Sequence, residues 1–296
     1  MFGRIFTSTT FARGWIALAL ILFSLAPTAV AQSVSEGKGA IVFQSRLGPL
    51  DVFTYKSPGY SDGPLVIVCH GMSRNADEYR DKAIGLAARM QAMVATPYFD
   101  AMRFPSEAYQ QGGLLKSGSL QGAEQWTVAT VEKLAEEVRV REDRPEMPYY
   151  LIGHSAGAQF LGRLAAFCTS DARRIVLANA GSYIFPSREM PFPYGFGELP
   201  DSLAGDAAIS RYLAQPVTIY LGTADVGDAN LPSGPQAMRQ GATRYQRGKN
   251  LFQQAAEVAR QRGWKFNWRL VEAEGVAHDA QAMFDHANAV RVFSAD

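Results

Sequence analysis

Short apolar runs alternate with amphipathic segments along most of the chain. Six of these runs are rich in β-branched residues and show little alternation of apolar and polar positions, which is typical of strands buried on both faces. They cover residues 65–69, 93–98, 149–152, 175–177, 217–221 and 266–271. Two earlier runs, 40–43 and 50–53, lie on either side of Gly48-Pro49 and predict an antiparallel hairpin.

The segments between the strands carry helical periodicity. In 127–140, the residues Val128, Val131, Leu134 and Val138 form one apolar face. Further helices are predicted at 76–90, 156–167, 234–262 and 280–292. Because strands and helices alternate, we predict an α/β fold with one mostly parallel, eight-stranded sheet and helices on both of its faces.

One segment, 181–201, departs from this alternation. It is rich in proline, glycine and aromatic residues, the last being Tyr183, Phe185, Phe192, Tyr194 and Phe196. A long irregular segment inside a compact domain is often a lid or a binding loop. The first four of these rings would then be candidates for an apolar substrate-binding pocket. The alternative is a surface excursion that packs its rings onto the core.

The first 31 residues are typical of a secretory signal peptide. Two arginines and no acidic residue precede an apolar run at 15–26, and Ala29-Val-Ala31 is a cleavage site. The alternative is a membrane anchor, but the run is shorter than the roughly 20 residues that a spanning helix needs. We therefore predict an exported protein, periplasmic or secreted, whose mature chain, 32–296, forms one α/β domain and does not stay inserted in a membrane.

Composition argues against several classes of partner. The 296 residues include 29 basic and 28 acidic side chains, and removal of the two N-terminal arginines changes the formal net charge from +1 to −1. A chain this close to neutral lacks the broad positive field that nucleic-acid binding uses. Two cysteines and four histidines, without C-x-x-C or H-E-x-x-H spacing, predict no metal site.

The two cysteines, Cys69 and Cys168, could form a disulfide in an oxidising compartment. Cys69 ends the predicted strand 65–69, whereas Cys168 follows the predicted helix 156–167, which runs back towards the opposite edge of the sheet. A disulfide needs Cα atoms within about 7 Å of each other. We therefore expect two free, buried thiols, with the disulfide as the alternative.

The segment Gly153-His-Ser-Ala-Gly157 matches the pattern G-x-S-x-G. The match alone is weak, but it directly follows the predicted strand 149–152 and directly precedes the predicted helix 156–167. A strand, a sharp turn and a helix form a nucleophile elbow, which presents its serine at the carboxyl end of the sheet. Ser155 is therefore the candidate nucleophile.

A serine nucleophile needs a base, and a third group that orients the base. His154 adjoins Ser155 and is expected to point elsewhere, and His286 lies inside a predicted helix. His70 lies on the loop after an early strand. Only His278 lies on the loop after the last strand, in the chain order of serine, acid and histidine that accompanies such an elbow. We predict His278 as the base.

The acid is expected on the loop after the strand 217–221. Asp225 ends a short G-x-x-D turn there, and Asp228 follows three residues later. Asp225 is nearer to the end of the strand and is preferred, with Asp228 as the alternative. Asp279, beside His278, is too close in sequence to orient the ring and is predicted to cap the next helix.

Acyl transfer also needs N–H donors for the developing oxyanion. The N–H of Ala156 directly follows the nucleophile, and that of Met72 lies on the loop His70-Gly71-Met72. Both positions are those that supply such donors beside an elbow. The alternative for the second loop is an ordinary turn at the end of a strand.

The segments Val66-Ile-Val-Cys-His-Gly-Met-Ser-Arg-Asn-Ala76 and Gly153-His-Ser-Ala-Gly157 resemble motifs of the α/β-hydrolase superfamily. Within it, they look like those of the secreted esterases that include polyhydroxybutyrate depolymerases and feruloyl esterases. The superfamily resemblance covers nearly the whole mature chain. It implies a catalytic triad of Ser155, Asp225 and His278 and an oxyanion hole formed by Met72 and Ala156. It also implies that the protein uses no cofactor. The loop after Gly71 lacks the glycine run of the hormone-sensitive-lipase type, so the substrates of that subfamily are not implied.

Together these residues predict a serine hydrolase that cleaves a carboxylic ester, of a small molecule or a polymer chain, through an acyl-enzyme. The same groups could cut an amide, as in serine peptidases of this fold. Two alternatives outside catalysis are a binding protein that kept the fold without the chemistry and a structural protein of the cell envelope.

Overall fold

The computed structural model describes residues 1–4 and 32–294 of the chain. The predicted signal peptide therefore lies, apart from its first four residues, outside the described part. Residues Gln32–Asp296 form one compact unit, whose described residues carry all the elements named below. Within the described ranges, no helix has the length and apolarity needed to cross a membrane.

Eight strands form one sheet, and two short strands form a separate hairpin. In chain order the strands are β1 (Gly37–Ser45), β2 (Gly48–Lys56), β3 (Leu65–Cys69), β4 (Met93–Pro97), β5 (Leu115–Lys116), β6 (Ser119–Leu120), β7 (Tyr149–His154), β8 (Ile175–Ala178), β9 (Val217–Gly222) and β10 (Arg269–Ala273). The large sheet has the order β1-β2-β4-β3-β7-β8-β9-β10, and β5 pairs with β6. In the large sheet, β2 is antiparallel to both of its neighbours and all other pairs are parallel, and the separate β5–β6 pair is antiparallel. The predicted mostly parallel, eight-stranded sheet is confirmed.

Nine α-helices and four 3₁₀-helices connect the strands in the described residues. The α-helices are α1 (Ala76–Lys82), α2 (Ile84–Met90), α3 (Thr130–Arg141), α4 (Ala156–Phe167), α5 (Asp201–Ala204), α6 (Asp206–Ala214), α7 (Pro235–Met238), α8 (Arg244–Arg262) and α9 (Ala280–Asp285). The 3₁₀-helices are Ala123–Gln125, Thr127–Ala129, Ala287–Ala289 and Arg291–Phe293. The predicted helices 76–90, 127–140, 234–262 and 280–292 are thus each divided, and the predicted strand 266–271 lies instead at Arg269–Ala273. Helices α5 and α6 and the β5–β6 hairpin were not predicted.

The core has two parts, one on each face of the sheet. Alternate residues of β3 divide between them: Leu65 and Ile67 belong to one cluster, and Val66 and Val68 to the other. Helices α3, α4, α6 and α8 contribute to the first cluster, and α1, α2 and α9 to the second. Because both faces are covered, every residue of β3 is buried.

The aromatic segment 181–201 packs onto the core. Four of its five rings are buried and Tyr194 is half-buried, and all belong to the cluster that contains α4 and α6. Phe196, fully buried, lies between Phe167 of α4 and Tyr212 of α6, with ring centroids 5.4 and 5.7 Å apart. The placement of these rings agrees with the interpretation as a surface excursion that packs onto the core, and not with that of a pocket-forming lid or binding loop.

Cys69 and Cys168 are both free, as expected. Cys69 is buried at the end of β3, whereas Cys168 follows α4 and is only partly buried, so the expectation of a buried thiol was wrong for Cys168. Burial raises the pKa of both thiols. Neither side chain is therefore a ready nucleophile.

Candidate functional site

Ser155 stands at a sharp turn between β7 and α4. Its backbone has φ 57° and ψ −115°, a conformation that an L-residue rarely adopts. A Cβ atom at Gly153 would lie 2.2 Å from the carbonyl oxygen of Gly157, and one at Gly157 would lie 2.1 Å from that of Cys69. Both positions therefore require glycine, which explains the G-x-S-x-G spacing. The turn leaves the Ser155 hydroxyl at the carboxyl end of the sheet and at the N-terminus of α4.

Ser155, His278 and Asp225 form a chain of two hydrogen-bonding contacts. His278 Nε2 lies 3.1 Å from Ser155 Oγ, and His278 Nδ1 lies 2.7 Å from Asp225 Oδ2. The three residues follow β7, β10 and β9, whose carboxyl ends share one edge of the sheet. The other candidate acid, Asp228, is exposed on the same loop as Asp225. The geometry can relay a proton from the serine hydroxyl to an imidazole that a carboxylate orients.

Two loops carry the acid and the histidine, and they are packed against each other. A Cβ at Gly222 would lie 2.3 Å from the carbonyl oxygen of Val276, and the N–H of Ala224 donates to that oxygen. Asn179, fully buried at the end of β8, accepts from the N–H of Gly222 and lies with its Nδ2 3.4 Å from the carbonyl of Ala277. Asn179 thus connects both loops. Sequence reasoning missed it, although an asparagine directly after a buried strand was a usable signal.

A buried arginine lies beneath the acid. Arg244 Nη1 lies 3.6 Å from Asp225 Oδ1, and the two side chains are 2% and 1% exposed. The same guanidinium donates to the carbonyl oxygens of Gly227 and Ala229, at 3.3 and 2.5 Å. A carboxylate buried this deeply needs a compensating charge. Arg244 supplies it and holds the loop after Asp225 in place. Among the many arginines of α8, the sequence gives no sign of this one.

The loop after β3 is fixed by a neutral histidine. The N–H of Phe99 donates to His70 Nε2 over 3.2 Å, so the ring hydrogen is on Nδ1, which donates to the carbonyl of Gly71 at 3.0 Å. Burial lowers the pKa of His70 to about 4. Met72 and Ala156, the two predicted N–H donors, both line the cavity beside Ser155. Neither of their N–H groups has an acceptor among residues 32–294.

His154 does not point away from the site, as the sequence analysis had expected. Its ring packs against that of His278, with centroids 4.7 Å apart and planes inclined at 32°. Its Nδ1 lies 3.0 Å from the Tyr79 hydroxyl. Burial, with the neighbouring basic groups, lowers the pKa of His154 well below its usual range. The expectation was wrong because the orientation of His154 depends on the Tyr79 hydroxyl and the His278 ring, two partners that are distant in the sequence.

A cavity of about 320 Å³ opens beside Ser155. Most of the side chains in its wall are polar, and they include Asn75, Lys82, Gln110, Gln159, Asn230 and Asp279. None of the four aromatic residues predicted to bind substrate, Tyr183, Phe185, Phe192 and Tyr194, lines it. Their rings are committed to the core instead, so the predicted apolar pocket is not the cavity beside Ser155. The described residues also bring together no cluster of histidine, cysteine and carboxylate side chains that could hold a metal ion.

The predicted cap at Asp279 is also present. Its carboxylate accepts from the N–H of Ala282 and so caps α9, which keeps it off the His278 ring. His286 lies at the other end of α9, away from the cavity, and its Nδ1 accepts from the N–H of Asn288. His70, His154 and His278 lie near Ser155 or on the loops beside it, and His278 hydrogen-bonds to Ser155.

Comparison with solved structures finds two hydrolases of similar fold and sequence. Poly(aspartic acid) hydrolase-1 from Sphingomonas sp. KT-1 is 33% identical, with a TM-score of 0.78 over 84% of this chain and 96% of the other. A poly(3-hydroxybutyrate) depolymerase from Bordetella parapertussis is 34% identical, with a TM-score of 0.78 over 84% of this chain and 88% of the other. Both similarities are high enough in identity and coverage to show a common family.

A structure with much lower sequence identity shares only the fold with this chain. An S-formylglutathione hydrolase from Agrobacterium tumefaciens is 14% identical, with a TM-score of 0.51 over 86% of this chain and 94% of the other. No protein-family model matches the sequence, and no curated protein matches it significantly. The sheet order, the elbow and the two related structures agree, and the chain is a hydrolase that belongs to the α/β-hydrolase superfamily, in the esterase group that includes the poly(3-hydroxybutyrate) depolymerases.

Proposed function

We propose that this hydrolase cleaves carboxylic esters through a covalent acyl-enzyme on Ser155, and that it does so outside the cytoplasm once residues 1–31 are removed. The observation that carries the proposal is the chain of contacts from Asp225 through His278 to Ser155, with distances of 2.7 and 3.1 Å. Export is supported by the apolar run and the A-x-A sequence that precede Gln32.

In this mechanism Ser155 Oγ attacks the ester carbonyl while its proton passes to His278 Nε2. Asp225 holds the imidazole in the tautomer with hydrogen on Nδ1 and stabilises the imidazolium that forms. The N–H groups of Met72 and Ala156 receive the oxyanion, and the N-terminus of α4 adds a favourable dipole. His278 then protonates the leaving alcohol. Water, deprotonated by the same imidazole, hydrolyses the acyl-enzyme and regenerates Ser155.

The test of the nucleophile is Ser155→Ala. We expect a folded protein whose hydrolysis of p-nitrophenyl acetate falls about 10³-fold or more, because removal of one triad member leaves only binding and oxyanion stabilisation. A fluorophosphonate probe should label the unchanged protein at Ser155 and should not label the variant. Unchanged ester cleavage by a variant with the same thermal unfolding profile would contradict the proposal.

Amide cleavage is the second candidate, and one observation favours keeping it. Of the two relatives at 33% and 34% identity, one is named as acting on poly(aspartic acid), a polyamide, and the other on poly(3-hydroxybutyrate), a polyester. The same nucleophile, base and oxyanion donors serve both linkages. An ester and an amide with the same acyl group, measured side by side, separate the two. A kcat/KM greater for the amide would replace the ester proposal.

The cavity also predicts an order of preference among esters. Its volume of about 320 Å³ and its wall of amide side chains suit a short acyl group with hydrogen-bonding substituents. We expect p-nitrophenyl esters of acetate and of short hydroxy acids to be hydrolysed at least about tenfold faster, in kcat/KM, than the decanoate, since burying a long chain there desolvates polar groups. A maximum at eight or more carbons would show that acyl chains bind elsewhere.

A further inference from the structure

The imidazole ring of His278, the candidate base, packs against a second imidazole ring. The side chain of His278 is 30% exposed, and its ring contacts that of His154, a residue that is only 3% exposed. The ring centroids are 4.7 Å apart and the planes are inclined at 32°, a tilted contact close enough to bring the two rings partly face to face. His154 is the residue directly before Ser155, so the elbow itself carries the surface against which the base packs.

His278 needs such a contact for a geometric reason. Its two hydrogen-bonding partners, Asp225 at Nδ1 and Ser155 at Nε2, both lie at the edge of the ring. Two edge contacts leave the ring free to tilt about the line that joins the two nitrogens. Only a contact with the face of the ring opposes this tilt. His154 provides such a contact.

His154 is in turn held by Tyr79 of α1. The Tyr79 hydroxyl lies 3.0 Å from His154 Nδ1. A Cβ atom at Gly71 would lie 2.6 Å from the same hydroxyl, so Tyr79 also packs closely against the loop of Gly71. His154 Nε2 is buried and has no hydrogen-bond partner among the described residues, so the Tyr79 hydroxyl is the hydrogen-bonding group that holds the ring.

Burial and the charges around His154 keep it neutral. Burial lowers its pKa most, the basic side chains of His278, Arg244 and Lys82 lower it further, and its hydrogen-bonding partner Tyr79 is uncharged. A second positive charge stacked on the imidazolium of His278 would destabilise it by repulsion, whereas a neutral ring does not. His154 can therefore stay in contact with the base throughout a cycle in which the base gains and loses a proton.

We propose that His154 is a positioning residue, which fixes the tilt of the His278 ring and, through Tyr79, joins it to the loop of Gly71 and Met72 that carries an oxyanion donor. The proposal rests on the catalytic roles proposed above for Ser155 and His278. It assigns a function to the residue at the second position of the G-x-S-x-G segment, which needs no particular side chain for the turn itself.

The experiment compares His154→Ala, which removes the ring, with His154→Phe, which keeps a ring face and removes the polar atoms. Two readouts are used: kcat and KM for p-nitrophenyl acetate, and the rate of Ser155 labelling by a fluorophosphonate. For the alanine variant we expect kcat and the labelling rate to fall by about 10²-fold, as for a small misplacement of a catalytic group, with KM changed less than about threefold. In the phenylalanine variant, kcat and the labelling rate should be at least about tenfold higher than in the alanine variant.

A third variant and a control complete the design. His154→Gln keeps an acceptor for Tyr79 without a ring, so it should resemble the alanine variant, and it replaces that variant if alanine does not fold. His286→Ala, at the far end of α9, should leave both readouts unchanged. The proposal is overturned if kcat is unaffected in the folded alanine or glutamine variant, or if phenylalanine is no better than either. Absence of labelling at Ser155 in the unchanged protein would instead contradict the proposed function.

Discussion

Two irregular segments leave the same edge of the sheet, and they contribute differently to the candidate site. One supplies the candidate acid Asp225, whereas the other lines the cavity with Gly181 alone. The aromatic segment 181–201 follows β8, and the acid loop 223–234 follows β9. The first buries its rings in the core, whereas the second is mostly exposed around one deeply buried carboxylate, Asp225. Position at the carboxyl edge therefore does not make a loop functional. The acid loop differs from the aromatic segment because it carries a buried carboxylate, Asp225, whose partner His278 contacts Ser155.

The difference has a chemical cause. Removing an apolar ring from water is favourable, so a segment rich in phenylalanine packs onto an apolar surface, here that of α4 and α6. A carboxylate is buried only at a cost, and Asp225 is retained because Arg244 and His278 compensate it. The first segment should therefore control stability, and the second should control activity.

The largest expected effect is on activity, from Asp225→Asn. The amide favours the wrong tautomer of His278, and we expect kcat for p-nitrophenyl acetate to fall by about 10⁴-fold. The matched control is Asp228→Asn, three residues along the same loop, which should change kcat less than about twofold because its side chain is exposed. Equal losses in the two variants, or a larger loss at Asp228, would move the acid and remove the contrast between the segments.

Much of the site followed from local sequence. The run 149–152, the glycines around Ser155 and the apolar start of α4 are adjacent in the chain, so their pattern predicted the elbow. His278 and Asp225 were selected because each follows a predicted strand, and the parallel sheet brings the ends of those strands together. Six of the eight strands were predicted because each coincides largely with a short, continuous apolar run, and β1 and β2 were predicted from the two runs that flank Gly48-Pro49.

The remaining features depend on contacts between distant parts of the chain. Arg244 and Asn179 each satisfy partners on other loops, and no periodicity marks them. The orientation of His154 depends on how β7 meets the loop of His278. The aromatic segment was ambiguous for a related reason, because a ring in a pocket and a ring in the core have the same sequence signal.

The second largest effect should be on stability, from Phe196→Ala. Phe196 is fully buried between Phe167 and Tyr212, and its loss should lower the free energy of unfolding by about 3–5 kcal/mol. The control, Met102→Ala, removes an exposed side chain and should change it by less than about 0.5 kcal/mol. Chemical denaturation measures both. Below the unfolding transition, fluorophosphonate labelling of Ser155 in the Phe196 variant should match that of the unchanged protein, and a large loss would place the segment in the site.

The smallest effect tests a side chain that joins the two segments. Arg247, fully buried on α8, donates to the carbonyl oxygens of Gly181, Pro232 and Gly241 at 2.6, 2.8 and 2.8 Å. Lysine cannot reach three carbonyls with one ammonium group, so Arg247→Lys should lower the free energy of unfolding by about 1–3 kcal/mol.

Because Pro232 lines the cavity while Asp225 is held separately by Arg244, the lysine variant should raise KM for p-nitrophenyl acetate and leave kcat within about threefold. Steady-state kinetics and denaturation on the same preparation give both quantities. A fall in kcat approaching that of Asp225→Asn would mean that the aromatic segment supports the acid through this arginine. The two segments would then act as one unit, and the separation of stability from activity would not hold.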